Sequence, residues 1–167
     1  MGDNVASSSG KVYTVQNDID ASDTTNWSGG FPPIGNDVTN FVGTLNGSRK
    51  VIRNLKVDRP GQDYVGLLGF VGTAGVVNDL GITNCSMAGR DLIGGLVGLN
   101  YGTVTGCYAV GTAVGNNYVG GLVGFNRYGT MVACHADGSA TGSGSVGGPR
   151  CLMDGSKVYA GLDSDRV

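Results

Sequence analysis

Apolar residues in this chain come in short runs that glycine or asparagine interrupts every few positions. Leu96 and Val97 form one such run, Val104 follows alone, and residues 108–110 form the next. Runs of this length, bounded by turn residues, predict short β-strands and turns. A helix is disfavoured, because each interior glycine costs about 1 kcal/mol relative to alanine and every such stretch contains several. We therefore expect a chain built from strands.

The same pattern recurs along the chain with a nearly constant period. Three copies read VGLLGFVGTAGVVNDL from Val65, IGGLVGLNYGTVTGCY from Ile93 and VGGLVGFNRYGTMVACH from Val119, and a divergent fourth, VGGPRCLMDGSKVYAG, begins at Val146. Consecutive copies begin 28, 26 and 27 residues apart. Self-similarity at a fixed period of this size is typical of solenoids and related arrays, so the glycine pattern is not the mark of one binding loop.

The repeat predicts an all-β fold, a right-handed parallel β-helix (β-solenoid) of about five or six coils with period 26–28. Successive coils would pair as parallel strands about 4.8 Å apart, with Leu68, Leu96 and Leu122 stacked inward. Glycines are expected at corners with positive φ, or where the next coil passes too close for a Cβ atom. The repeat positions that we single out are Gly66, Leu68, Gly69, Gly95, Leu96, Gly98, Gly121, Leu122, Gly124, Cys107 and Cys134. Two columns are also predicted, Leu80, Cys107, Cys134 and Ala160, and Val76, Thr103, Thr130 and Ser156.

Three regions follow from this alignment. Residues 1–63 would form an N-terminal cap and the first coils, residues 64–148 the regular coils, and residues 149–167 a divergent terminal coil or tail. An open solenoid exposes an unpaired strand edge at each end. We expect the segment around Trp27, Pro32 and Pro33 to cover the first end, and the tail after Pro149 to cover the other imperfectly.

The repeated segments are similar to a known family. GGLVGLNYGTVTGCYAVG and GGLVGFNRYGTMVACHADG resemble the GLUG repeat, a Gly-Leu-x-Gly module of bacterial surface and secreted proteins that include some immunoglobulin A-cleaving metallopeptidases. Residues 13–59 resemble the segment that precedes such repeats, so the likeness covers roughly residues 12–148. The chain departs from the family pattern at NGSRK, residues 46–50, and at Pro149, since proline cannot donate a ladder hydrogen bond. The resemblance implies a repeat domain and no particular chemistry.

Composition narrows the choice of partners. The 167 residues suit one domain, 40% of them are hydrophobic, and the 32 glycines show no collagen period. A net charge of −2 with only 14% charged residues gives no basic surface for nucleic acid. The apolar run from Tyr64 is too short to cross a membrane, and the N-terminus lacks the features of a signal peptide. We expect no nucleic acid, no membrane insertion and no cofactor.

Candidate reactive residues are few. A His-Glu-x-x-His metallopeptidase needs two histidines, and the chain has only His135, which the alignment places in the column of Tyr108. The cysteines Cys85, Cys107, Cys134 and Cys151 lack Cys-x-x-Cys spacing. We expect free thiols, because parallel neighbours in register point alike, although a bridge between Cys107 and Cys134 stays conceivable at a suitable separation.

One acidic cluster could bind a metal. Asp18, Asp20 and Asp23 lie close together in NDIDASD and could supply oxygen ligands to calcium. The segment lacks the glycine and the distal glutamate of an EF-hand loop, and the neighbouring asparagine and serine also suit turn capping. Calcium binding is therefore a minor candidate.

Three function classes remain. The favoured class is a non-catalytic repeat domain of a bacterial extracellular or cell-surface protein, an adhesion module or a stalk, either a monomer or a fragment of a larger chain, with an extracellular protein or glycan as its ligand. A polysaccharide-active β-helix enzyme is the second, with Asp58, Arg59 and Asp63 at one corner. The third is an ice-binding type of flat face, for which the threonine column is the evidence.

Overall fold

The structure, a computed structural model, describes residues 8–147 and the backbone of two later strands, Leu152–Asp154 and Lys157–Tyr159. Within this part the chain forms strands and one short 3-10 helix, Ser22–Asn26. No helix of the described residues has the length and apolarity that crossing a bilayer would require. Ala160, Cys151, Pro149 and most of the predicted tail lie outside the described residues.

The strands fall into groups that follow the repeat. Before the first repeat lie β1 (Val12–Thr14), β2 (Ile19–Asp20), β3 (Thr44–Arg53) and β4 (Lys56–Asp58). The first repeat forms β5 (Leu68–Val71) and β6 (Val76–Ala88), and the second forms β7 (Asp91–Gly94), β8 (Val97–Asn100), β9 (Thr103–Thr105) and β10 (Tyr108–Val114). The third forms β11 (Asn117–Gly120), β12 (Val123–Arg127), β13 (Thr130–Val132) and β14 (His135–Thr141), which β15 (Leu152–Asp154) and β16 (Lys157–Tyr159) follow.

Strands of consecutive repeats stack in parallel on three faces. One face runs β5-β8-β12-β15, the second pairs β7 with β11, and the largest runs β1-β3-β6-β9-β13-β16, with β10 between β6 and β14. The chain is therefore an all-β parallel solenoid of about three turns, which confirms the predicted fold class. The predicted count of five or six coils is not confirmed, and the handedness stays a prediction.

The register confirms part of the predicted columns. Thr103 pairs with Val76 and Thr130, but the next partner of Thr130 is Lys157, so the placement of Ser156 in this column was wrong. The alignment of Leu68 with Leu96 was also wrong by one residue, because Leu68 pairs with Val97. Val65 still pairs with Ile93, so the second repeat holds one extra residue before its strand begins.

The core narrows from the first repeat towards the third. Ile82 and Met87 are buried inside the first repeat, whereas alanines occupy the paired positions on β10 and β14. Smaller side chains leave less apolar area to bury, at about 25 cal/mol per Å². Hydrophobic stabilisation is therefore concentrated around the first and second repeats. The buried cluster also includes two columns. One contains Val77, Val104 and Met131, and the other contains Leu80 and Cys107.

The repeat glycines are required by close packing of the backbone. A Cβ atom on Gly98 would lie 2.6 Å from the Leu92 carbonyl oxygen and 2.7 Å from that of Gly69, although Gly98 does not have a left-handed φ. Of the two predicted reasons for these glycines, positive φ or close approach of the next coil, close approach applies at Gly98 and positive φ does not. Left-handed corners are instead occupied by Tyr64, Leu92 and Tyr118, with φ of 61°, 62° and 55°.

Among the described residues, the N-terminal end of the core is only partly covered. Trp27 stacks on Phe31 with ring centroids 6.3 Å apart, yet half of Trp27 stays exposed. A cavity of about 1100 Å³ lies at this end, lined mainly by apolar residues of the first strands and by core residues that include Leu68 and Leu80. The segment of residues 21–34 therefore covers this end incompletely.

Candidate functional site: the outer aromatic strip

A second apolar cluster lies on the outside of the solenoid, on the face of β5, β8 and β12. Phe70, Leu99 and Phe125 are in register there. Phe70 and Leu99 are buried, with 8% and 6% of their surface exposed, but they are not part of the core cluster. Other side chains must therefore cover them from the solvent side.

Tyrosines at the left-handed corner provide part of that cover. Tyr64 stacks on Phe70 with ring centroids 5.8 Å apart and planes 14° apart, and Tyr118 stacks on Phe125 at 4.8 Å and 30°. The second repeat has Leu92 and Leu99 at the equivalent positions. The same corner thus places a tyrosine over a phenylalanine in the first and third repeats.

A ladder of polar side chains fixes this corner. The Asp91 carboxylate accepts hydrogen bonds of 3.0 Å from both the backbone N–H and the side-chain amide of Asn117, the equivalent residue one coil later. Asp63, one coil earlier, accepts a 2.7 Å hydrogen bond from the Arg90 Nε and a second bond from its Nη2. The hydrogen bonds from Arg90 lower the pKa of Asp63. These bonds hold successive corners, and so Tyr64 and Tyr118, in one column.

The strip continues to the far edge of the same face. Tyr101 meets Phe70 edge to face at 5.1 Å, and its ring lies 6.3 Å from that of Tyr128. The Arg127 guanidinium lies 5.4 Å from the centroid of the Tyr128 ring and donates a 3.4 Å hydrogen bond to the Tyr101 hydroxyl. We call the outer aromatic strip the set Tyr64, Phe70, Tyr101, Tyr118, Phe125 and Tyr128.

Two buried asparagines support the edge that carries Tyr101. Asn100 and Asn126 have no exposed surface, and the Asn100 amide donates a 2.6 Å hydrogen bond to the Asn126 side-chain oxygen. The Asn100 oxygen accepts from the backbone N–H of Gly102, while the Asn126 amide donates to the carbonyl of Gly129. These hydrogen bonds fix the turns after β8 and β12, which carry Tyr101 and Tyr128.

The strip is suited to binding. Exposed fractions of 38% for Tyr118 and 64% for Tyr128 leave ring surface open to solvent. Burial raises the pKa of Tyr64, with a further contribution from Asp37, so its phenol stays protonated at neutral pH. Flat aromatic faces rimmed by hydroxyl groups and a guanidinium offer stacking and hydrogen bonds. The repeated DYVG and NYVG segments contain this signal, which the sequence reading missed.

His135 is a stacking residue in this structure. It pairs with Tyr108 as predicted, and the two rings are nearly parallel with centroids 5.2 Å apart. Below them the Tyr108 ring lies directly over Gly81, which has no side chain to block it. Within the described residues no group of three histidine, cysteine or acidic side chains could hold a metal ion.

The three cysteine thiols within the described residues are free and poorly suited to nucleophilic chemistry. Cys85, Cys107 and Cys134 form no disulfide. Burial raises the pKa of Cys107 to about 12 and that of Cys85 to about 11, and it also raises that of Cys134. A reactive cysteine needs the opposite shift, because the thiolate is the nucleophile. These cysteines therefore act as small packing residues.

The calcium candidate is not supported by the geometry. Asp18 accepts a 3.0 Å hydrogen bond from the backbone N–H of Val51 and pairs with Arg53, which lowers its pKa. Asp20 accepts from the Asn54 amide and from the backbone N–H of Ser22, and its pKa is lowered by these bonds. Both carboxylates already have protein donors.

The third acidic residue of that candidate has a different position. Asp23 lies in the first turn of the 3-10 helix. The three carboxylates do not form a metal-ligand group, whereas Asp20 begins a side-chain ladder that continues through Asn54 to Asn84. Turn capping, the other interpretation of this segment, applies to Asp20, which accepts from the Ser22 N–H, whereas Asp18 is bonded to Val51 and Arg53 of β3.

The residues considered for an enzyme active site or an ice-binding face make other contacts in the structure. Asp58 forms an exposed ion pair with Lys56 at 3.6 Å, and the Nε of Arg59 is buried without a hydrogen-bond partner. Asp63 belongs to the corner ladder. The threonine column is interrupted, since Val76 lies between Thr44 and Thr103 and a lysine follows Thr130.

Comparison with known proteins identifies the repeated segments. The family described as "The GLUG motif" matches residues 89–114 and 115–141. Residues 89–141 thus match two consecutive copies of this motif. The predicted family resemblance is confirmed, and the second motif begins between β10 and β11, so each motif corresponds to one turn of the solenoid.

Two curated proteins are similar over most of the chain. Halomucin of Haloquadratum walsbyi is 42% identical in an alignment of 127 residues that covers 73% of this chain and 1% of halomucin. A protein of Evansella cellulosilytica named "Putative Gly-rich membrane protein" is 34% identical in an alignment of 108 residues that covers 61% of this chain and 12% of that protein. The chain thus spans a small part of the curated relatives that it matches.

A solved structure shares the fold. The crystal structure titled as that of "a putative immunoglobulin A1 protease" from Bacteroides ovatus aligns with a TM-score of 0.60 and 18% sequence identity. The alignment covers 94% of this chain and 64% of that one. At this identity the likeness concerns the fold alone.

Proposed function

We propose that this GLUG repeat domain is a non-catalytic module of a larger extracellular or cell-surface protein, where it acts as a binding or adhesion module on a solenoid stalk. The observation that carries the proposal is the outer aromatic strip, an exposed apolar surface that the corner ladder holds rigid across three coils. Exposed apolar patches rimmed by polar groups typically mark interaction sites. A stacked repeat supplies the length of a stalk.

The relatives support a place within a larger surface protein. This chain corresponds to a small fraction of each curated relative, and one of them is named as a membrane protein. Repeat modules can be added to a chain because each coil contacts mainly its neighbours. The extracellular or cell-surface location is therefore part of the proposal.

The number and hand of the coils also belong to the proposal. The strand path β1-β3-β6-β9-β13-β16 has six members, so the strands before and after the three regular turns support a total of five or six coils. Parallel crossover connections are right-handed in nearly all known sheets, which supports a right-handed solenoid.

The non-catalytic assignment has its own support in the described residues. The carboxylates considered for glycoside hydrolysis pair with neighbouring cations, and the buried thiols have raised pKa values. A retaining or inverting hydrolase instead needs two carboxylates facing a substrate.

A turnover assay tests this assignment. The purified chain is incubated with neutral and acidic polysaccharides and with immunoglobulin A, with and without calcium, and new reducing ends or cleaved fragments are measured. The proposal expects no turnover. Turnover that the Asp58→Ala or Asp63→Ala variant abolishes would contradict it.

Surface labelling of the intact source cells with an antibody to this chain tests the location, and labelling only after lysis would contradict an exposed site.

A further inference from the structure

The exposed layer of the strip is made of tyrosines. Tyr64, Tyr101, Tyr118 and Tyr128 lie outermost, while the phenylalanines and Leu99 lie beneath them. A tyrosine combines a flat apolar ring with a hydroxyl group that both donates and accepts hydrogen bonds. The ligand that fits this layer therefore has apolar faces and many hydroxyl groups.

The stacked aromatic pairs of the strip are spaced along the solenoid axis. The stacked pair Tyr64 and Phe70 lies two coils from the stacked pair at the third repeat, a separation of about 10 Å at 4.8 Å per coil. The shorter side chains of Leu92 and Leu99 lie between them. A tyrosine thus lies at this corner on either side of a coil that has a leucine there, and an extended ligand can contact both Tyr64 and Tyr118.

The cations beside the strip are matched by carboxylates. Arg90 is bonded by two hydrogen bonds to Asp63 at the first corner. Arg127 at the far edge is the other cation, and Asp91 in the corner ladder is the other carboxylate. The strip therefore has hydrogen-bonding groups without an excess of charge, which complements an uncharged ligand.

We propose that the outer aromatic strip binds an uncharged polysaccharide, a chain of neutral pyranose sugars. A pyranose ring presents apolar C–H bonds on its face and hydroxyl groups on its rim. Its face can stack on Tyr118 and Tyr128, while the tyrosine hydroxyls and the Arg127 guanidinium hydrogen-bond the rim. This inference rests on the proposed binding function and names the class of its ligand.

Affinity electrophoresis tests the inference with the full chain. Native gels contain a neutral polysaccharide, such as hydroxyethyl cellulose, a β-glucan, a galactomannan or a xylan, or the acidic polygalacturonate, and Kd follows from the retardation. We expect retardation by a neutral polysaccharide.

Tyr118→Ala and Tyr128→Ala should each raise Kd about tenfold, which corresponds to about 1.4 kcal/mol, whereas Tyr118→Phe should retain most of the affinity. Tyr13→Ala is the matched control, since Tyr13 is 41% exposed on β1, outside the strip. Circular dichroism confirms that each variant is folded.

The outcomes separate this inference from the proposed function. Binding that is unchanged between about 0.1 and about 1 M salt supports a neutral ligand, because charge contacts are screened over this range. Retardation by polygalacturonate alone, equal losses in Tyr13→Ala and Tyr118→Ala, or retardation by none of the polysaccharides would overturn the inference. None of these results would contradict the non-catalytic assignment, whereas turnover of a polysaccharide would overturn the proposed function itself.

Discussion

The side-chain amide of Asn100 donates a 2.6 Å hydrogen bond to the side-chain oxygen of Asn126, and neither residue has exposed surface. Asn126→Ala removes this acceptor and the donor to the Gly129 carbonyl. An unsatisfied buried polar group costs about 1–3 kcal/mol. We expect a lower melting temperature, by about 2–4 °C per kcal/mol for a chain of this size. The exposed Asn17→Ala is the control, and equal melting temperatures for the two variants would contradict a structural role for the asparagine pair.

The packing role of the repeat glycines predicts a second result. Gly98→Ala should destabilise the fold by about 1–3 kcal/mol, since the new Cβ would lie 2.6 and 2.7 Å from two backbone oxygens that cannot move independently. Gly61→Ala is the matched control, because a Cβ there meets nothing within 4 Å. Urea unfolding measures both free energies. A Gly98→Ala protein as stable as the Gly61→Ala protein would show that the coils are not packed this closely.

The corner ladder predicts a pH dependence. Because the pKa of Asp63 is lowered in the folded state, its ion pair with Arg90 stabilises the fold above the unfolded pKa of about 3.9. This contribution is lost as the pH falls through the lower folded pKa. Its size is below about 1 kcal/mol, since the pair is partly exposed.

Asp63→Asn tests this sign. The variant should lose stability at neutral pH and show a shallower decline of the unfolding free energy below about pH 4. Asp58→Asn, at an exposed ion pair outside the ladder, serves as the comparison. A decline as steep as that of the unmodified chain would mean that Asp63 does not couple folding to pH.

The raised thiol pKa values predict slow alkylation. In a Cys151→Ser background, Cys107 and Cys85 should react with iodoacetamide at pH 8 far more slowly than the same residues in denaturant, because little thiolate is present and the sulfurs are buried. Cys134, which is only partly buried, should react before Cys107. Mass spectrometry of tryptic peptides gives the order, and rapid labelling of folded Cys107 would be inconsistent with the buried column.

The sequence predicted those columns for which the spacing of the repeats is uniform. Tyr108 and His135 are 27 residues apart, as are Thr103 and Thr130, and both pairs are in register. The extra residue before Val97 shifted the alignment of Leu68, because a one-residue change in a strand moves every later partner. Spacing alone does not locate such insertions.

The candidate site could not be predicted in the same way. The left-handed φ of Tyr64 and Tyr118 is a conformation that sequence rules assign to glycine, so these corners were not expected to carry aromatic side chains. Stacking of Tyr118 on Phe125 depends on which residues face outward, and the core and the outer strip have equally apolar sequences. The structure separates the two because Phe70 and Leu99 are buried outside the core cluster.

The most direct test of the central claim is an NMR titration. The tyrosine ring signals are followed while the neutral polysaccharide that binds most tightly is added. The claim is that a stacked face of the solenoid, rather than its open end, is the binding site. The account predicts that the ring resonances of Tyr118 and Tyr128 shift in a saturable manner, while those of Tyr13 and Tyr108 do not. Saturable shifts at Tyr13, which lines the cavity at the N-terminal end, with no change at Tyr118 and Tyr128, would contradict it.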